Sequence, residues 1–258
     1  MTAVTRRGLT RVVGLSTIAA AVSPGGDGVI IERGLKPLGP GIWTADDELR
    51  VMGMAMPVRM TVVDLPSGLW LHSPVALEPL RAAVEALERP VAWRVAPNLM
   101  HHLFQAPWRD AFPDSRLAAP AGLAGKRPGL RIDAPLTGPL PAWDGRITGV
   151  PIAGNPVLDE TVFLHRDSRT LMVTDLAVNL GPGIHWGLAL YARLNGCHGR
   201  LAVSFMLKML YRDKAAARRS VEAVLDLDFD RVVPAHGGVV ETGGKDALAG
   251  AMRWLLKK

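Results

Sequence analysis

Val91-Ala92-Trp93-Arg94-Val95-Ala96-Pro97-Asn98-Leu99-Met100-His101-His102 is the stretch on which the fold is decided. Its first six residues are apolar except Arg94 and rich in β-formers, which predicts a short strand. Pro97 cannot donate to a strand ladder, so the strand ends there. Asn98, His101 and His102 follow at once, three side chains that hydrogen-bond or ligate, placed just past a strand end. Upstream, Leu77, Leu80, Val84 and Leu87 recur every three to four residues, which predicts a one-faced helix. That helix must stop before Pro90.

Two hairpins lie further out. Met60-Thr61-Val62-Val63-Asp64-Leu65 turns at Pro66-Ser67-Gly68 and returns as Leu69-Trp70-Leu71-His72. Thr161-Val162-Phe163-Leu164-His165 turns at Arg166-Asp167-Ser168 and returns as Thr170-Leu171-Met172-Val173-Thr174. Residues 113–142 are rich in Pro and Gly and predict a long irregular stretch. Ile184 to Leu227 has a helical pattern, which predicts three helices broken at Asn195-Gly196 and near Arg212. Phe229 to Pro234 is again a strand, and Ala247 to Leu256 a closing helix. Hairpin, β-α-β, hairpin, helices, strand and helix add up to a mixed α/β sandwich.

Composition removes several function classes. A chain of 258 residues with 48% hydrophobic and 21% charged residues builds a real core and is not disordered. The net charge is +6, but the cations are scattered, and Arg6-Arg7 and Arg218-Arg219 have no interleaved aromatics. Nucleic acid is therefore not an expected partner. Cys197 is the only cysteine, which excludes an intramolecular disulfide and a cysteine zinc knuckle. With His198 beside it, it reads as part of an inert loop. Residues 1–26 hold no acid. Arg6, Arg7 and Arg11 precede an apolar run from Val12 to Val22, too short to span a membrane. Thr5-Arg6-Arg7-Gly8-Leu9 resembles a twin-arginine export signal. The expectation is a signal peptide and linker over residues 1–28, one domain over 29–258, and export to the periplasm. The alternative is a cytoplasmic protein with an amphipathic N-terminal helix.

Chemistry gathers where strands end. His72 closes the first hairpin, Asn98, His101 and His102 follow the next strand, Asp175 closes the second hairpin, and His236 follows Val233-Pro234. Strand C-terminal ends are where open α/β sheets collect ligands. Imidazoles with a carboxylate suit Zn²⁺ or Fe²⁺, and such an ion lowers the pKa of water to near ~7.

From Leu38 to His236 the chain resembles the metallo-β-lactamase superfamily, most of all a branch of bacterial and plant proteins known only as a domain of unknown function. Arg59-Met60-Thr61-Val62-Val63, Leu69-Trp70-Leu71-His72-Ser73-Pro74, Ala96 through Phe104, Ser168-Arg169-Thr170-Leu171 with Thr174-Asp175, and Pro234-Ala235-His236-Gly237 carry the resemblance. It implies a four-layer αββα sandwich and metal-dependent hydrolysis. The superfamily's main motif is His-x-His-x-Asp-His. Here Pro97 and Leu99 stand for its two leading histidines, His101 for its aspartate, and His102 for its last histidine. Asn155 stands where a further histidine is usual. The resemblance thus implies one lost metal position and one retained, with His101, His102, Asp175 and His236 as ligands for one Zn or Fe ion, or for none.

Two functions follow as expectations. One is a mononuclear metal-dependent hydrolase of an unknown small molecule, with His72 or Asp175 handling the proton. The other is a catalytically inactive scaffold of the same fold that binds a small ligand or a partner protein. Each side chain also has a plainer role. His101 and His102 can cap a helix start, and Asp175 can receive backbone N–H groups. His72 can be a buried histidine bonded to backbone, and Asn98 can cap the turn or orient water. Glu160 with Arg59 reads as an ion pair. Trp186, Tyr191 and Phe205 read as core. Substrate and oligomeric state have no signal in the sequence.

Overall fold

A computed structural model describes residues 34–51, 53–137 and 140–257. The expected signal peptide and linker, and with them the export reading, lie outside the described residues. Among the described residues, eleven strands form two sheets. The first has seven, in chain order across the sheet: β1 (Lys36–Gly39), β2 (Ile42–Val51), β3 (Met54–Leu65), β4 (Gly68–His72), β5 (Val91–Val95), β6 (Arg116–Ala119) and β7 (Ala134–Pro135). The second has four: β8 (Ile147–Pro151), β9 (Thr161–His165), β10 (Thr170–Val173) and β11 (Arg231–Pro234), in the order β11-β10-β9-β8. Strands β1 to β4 pair antiparallel, and β4 to β7 pair parallel. In the second sheet only β10 and β11 run parallel.

The period of two residues along each strand builds the layers. Val63, Trp70, Trp93 and Val95 of the first sheet meet Ile147, Phe163, Met172 and Val233 of the second in one core between the sheets. Their neighbours Met60, Val62, Leu69 and Leu71 face outward onto Val84 of α1 (Arg81–Glu85) and Trp108 of α2 (Gln105–Ala111). On the far side, Val162, Leu164, Leu171 and Val173 pack against Ala217, Val221, Val224 and Leu248. Those come from α6 (Lys214–Leu225) and α7 (Gly244–Ala251), with α8 (Arg253–Leu256) beside them. Helix, sheet, sheet, helix is the expected four-layer sandwich. Strands buried on both faces explain why Leu69-Trp70-Leu71 and Val162-Phe163-Leu164 are apolar without alternation. Each fully buried large side chain there contributes roughly 1.5–3 kcal/mol.

Several expectations change. The stretch 113–142 is not wholly irregular: β6, α3 (Leu123–Lys126) and β7 lie within it, and its strands extend the parallel half of the first sheet. The helix expected from Leu77 to Leu87 is regular only over α1. The helical region breaks where expected, into α4 (Trp186–Leu194), α5 (Phe205–Met209) and α6. Tyr191 is half-buried, but Trp186 and Phe205 are exposed, so neither is core. Arg59 does not pair with Glu160. It sits opposite Asp46 in the β2–β3 register and donates to that carboxylate at 2.7 Å. Among the described residues, no helix is long and apolar enough to cross a membrane.

Candidate metal centre

Four strand ends converge at one edge of the sandwich. Ser73 follows β4, His101 lies in the turn after β5, Asp175 follows β10, and His236 follows β11. The turn after β5 is folded by Asn98, whose Oδ1 accepts from the backbone N–H of Met100 (2.8 Å) and His101 (2.9 Å). This is the capping role that short amide side chains favour. The same side chain works in a second direction. Its Nδ2 donates to Asp175 Oδ2 at 2.7 Å and to Thr174 Oγ1 at 3.0 Å. One buried asparagine therefore fixes His101 and Asp175 together.

Asp175 has a deeper support. Glu160, buried just before β9, accepts the backbone N–H of Thr174 on Oε1 and those of Asp175 and Leu176 on Oε2, at 2.8–2.9 Å. Its carboxylate holds the turn that presents Asp175. Burial, with the charge of Asp175 adding to it, pushes the Glu160 carboxyl up to about 7.

His236 is held from the other sheet. Its Nδ1 lies 2.8 Å from Pro57 O on β3. A carbonyl only accepts, so Nδ1 carries the proton and, in the neutral ring, Nε2 presents its lone pair. Arg59 Nη1 donates to Pro234 O (3.0 Å) and Gly237 O (2.6 Å), clamping the loop on both sides of His236. Gly237 has φ +89°, and a Cβ there would lie 2.0 Å from Asn179 O. Only glycine lets this loop close on its neighbour.

The result is a triangle. His101 Nε2 and His236 Nε2 are 3.1 Å apart. Asp175 Oδ2 is 3.5 Å from His101 Nε2, and its Oδ1 is 3.5 Å from His236 Nε2. One ligand atom from each of the three lies within 4.8 Å of the others. Ligands on one ion with bonds of ~2.0–2.1 Å stand roughly 2.9–3.4 Å apart, so the triangle has the size of a single coordination shell. The donor chemistry fits as well. Two imidazole nitrogens in van der Waals contact, one bearing a lone pair by necessity, repel unless a proton or a cation lies between them. His101 Nδ1 meets Ser73 Oγ at 2.7 Å, the outer partner that leaves Nε2 to ligate. Ser73 holds φ +53°, a strained value for a non-glycine, at the point where it reaches this ring.

The electrostatics agree with the geometry. Burial, only partly opposed by Asp175, lowers the His101 imidazole to about 4 and keeps it neutral. Burial works against a charge on His236 too, but Asp175 beside it outweighs that and raises it. Burial alone would raise the Asp175 carboxyl; the two imidazoles and Asn98 hold it well below the usual range. The triad thus combines one full negative charge with two nitrogen donors. It opens on a cavity of about 430 Å³ with apolar walls that include Met56, Val58 and Phe104 and with Lys126 and Arg127 at its edge.

Two expected site residues stand elsewhere. His102 is not in the triad: it lines the same cavity, but its Nδ1 accepts from Arg127 Nε at 3.3 Å. Adjacent residues in a tight turn point to different sides, and Asn98 fixes the turn so that His101 takes the inward place. His72 lies in the core between the sheets, stacked on Trp70 and edge-on to Phe163, and does not line the cavity. Burial first, then His101, depress its imidazole to about 3, so the ring stays neutral. Pro97 and Leu99 offer no donor, and Asn155 is spent on the N–H of Leu158. Among the described residues, one such cluster exists.

This sandwich, with its strand-end triad, has the metallo-β-lactamase fold. Residues 40–122 match the family model described as "Domain of unknown function (DUF4336)". Among solved structures, the chain is similar to a metallo-β-lactamase from Pontibacter korlensis (14% identity, TM-score 0.59, covering 87% of this chain and 99% of that one). It is also similar to the metallo-β-lactamase FIM-1 from Pseudomonas aeruginosa in its mono-zinc form (15%, 0.59, 86% and 96%) and to VMB-1 (15%, 0.61, 90% and 98%). No curated protein matches the sequence.

Proposed function

We propose that the chain is a mononuclear metal-dependent hydrolase acting on a small molecule. The observation that supports this most is the His101–Asp175–His236 triangle at the floor of the cavity. His101 Nε2, His236 Nε2 and an oxygen of Asp175 would hold one ion, zinc or iron, as the mono-zinc form of a lactamase of this fold holds one. Bound there, it would supply Lewis acidity and bring the pKa of water to near ~7. The chain's own residues do the rest. Pro57 O fixes the His236 ring in the ligating tautomer, and Ser73 Oγ orients the His101 ring. Asn98 and Glu160 fix Asp175, the carboxylate that would receive a proton from water. The apolar walls exclude bulk solvent and strengthen each of these contacts.

The second reading is a scaffold of this fold that binds without turning over. Pro97, Leu99 and Asn155, none of which presents a ligand, favour it. Metal content and turnover separate the two. Protein purified without chelator and offered zinc, iron or manganese should carry one ion per chain. His236→Ala and His101→Ala should lose it, while His102→Ala and His198→Ala keep it. An ion without hydrolysis of ester, amide and phosphodiester panels supports the scaffold. No ion in the wild type ends the hydrolase reading.

A further inference from the structure

Helices α4 and α5 present an apolar face that nothing among the described residues covers. Trp186, Leu190 and Leu194 recur every four residues on α4, while Leu188, Ala189 and Ala192 on its other side are buried. Phe205, Met206 and Met209 stand out from α5, whose first N–H is bonded to Asn195 O at the end of α4. The start of α5 therefore lies beside the end of α4. Trp186 is 72% exposed, Leu194 77% and Met209 70%. A folded chain seldom leaves six large apolar side chains together in water without a use for them.

Charge says what covers the face. From Leu176 to Arg212 the chain holds no acid but carries Arg193, Arg200, Lys208 and Arg212. A cleft of about 410 Å³ beside the face is walled by Arg200, Lys208 and Arg253, with Asp246 its one carboxylate. A second copy would bring the same acid-free segment to the interface and offer no carboxylate from it to these cations. A leaflet of anionic lipid offers what both features need: hydrocarbon for the helix faces and headgroup phosphates for the cations, as interfacial helices use them. We propose that the α4–α5 face docks the protein on an anionic membrane surface, with headgroup phosphate in the Arg200–Lys208–Arg253 cleft. This does not depend on the metal reading.

The test is sedimentation of the full chain with vesicles of phosphatidylcholine alone or with about a third phosphatidylglycerol. Binding is expected on the mixed vesicles, falling as salt rises, with a blue shift of Trp186 emission that Trp186→Phe removes. The triple variant Trp186→Ser, Leu190→Ser, Leu194→Ser should lower the bound fraction at least about tenfold. Arg200→Glu with Lys208→Glu, which leaves the apolar face intact, should do the same on the mixed vesicles. Either variant decides if the other fails to fold. The proposal is overturned if the wild type stays in the supernatant, or if both variants bind as well as it does. It is also overturned if the wild type is a dimer in solution that the triple variant dissociates, since a second copy would then be the occupant.

Discussion

Asn98 shows how few atoms organise this centre. One side chain closes the turn that aims His101 and donates to the carboxylate that faces it. Sequence alone offers capping for Asn98; its second hand on Asp175 needs the two sheets brought together. The same limit applies to His101 and His102, which are equivalent as letters, and only the turn separates them. His236 bears most of the pH response. Metal requires both rings neutral, and Asp175 raises the His236 imidazole above its usual 6.5. Proton competition therefore begins above that value, with affinity falling about tenfold per pH unit as one proton replaces the ion. A second proton enters only near pH 4, where His101 titrates. Competitive chelator titration across pH 4–8 checks this, and an affinity flat over that range would exclude imidazole ligands.

At the scale of elements, the hairpins β3–β4 and β9–β10 are legible because β-rich runs flank short turns. The strand β2 is not: Asp46-Asp47-Glu48 interrupts its apolar pattern, yet Asp46 is there to receive Arg59 and Asp47 caps backbone N–H groups. Nor is β7, whose two residues are held by pairing to β6 and not by propensity. Trp186 and Phe205 misled for the opposite reason, since helical spacing marks a shared face but not which side is covered. Two element-level variants test how the site is held. Gly237→Ala drives a Cβ against Asn179 O in a left-handed backbone, and should cost about 2 kcal/mol or more in denaturant unfolding. Glu160→Gln puts an N–H₂ group against backbone donors in the Asp175 turn. A loss of ~1–3 kcal/mol and a roughly 10–100-fold weaker metal site are expected, the latter read by chelator competition. Full metal affinity in Glu160→Gln would mean that Asp175 is not positioned by that turn.

The molecule as a whole joins two sheets whose facing edges each bring part of the centre. The first carries Ser73 and His101 at the ends of parallel strands; the second carries Asp175 and His236. The four-layer sandwich and the strand-end placement were readable from patterning and from the resemblance. The convergence of three ligands comes from packing between chain segments more than a hundred residues apart, such as His236 on Pro57, while the Asn98 turn alone separates His102 from His101. The central claim is one ion on three named side chains. Anomalous diffraction from crystals grown with zinc, recorded above and below its absorption edge, tests it most directly. The account predicts a single peak per chain within bonding distance of His101 Nε2, His236 Nε2 and Asp175. No peak, two adjacent peaks, or one peak bound by His102 would contradict it.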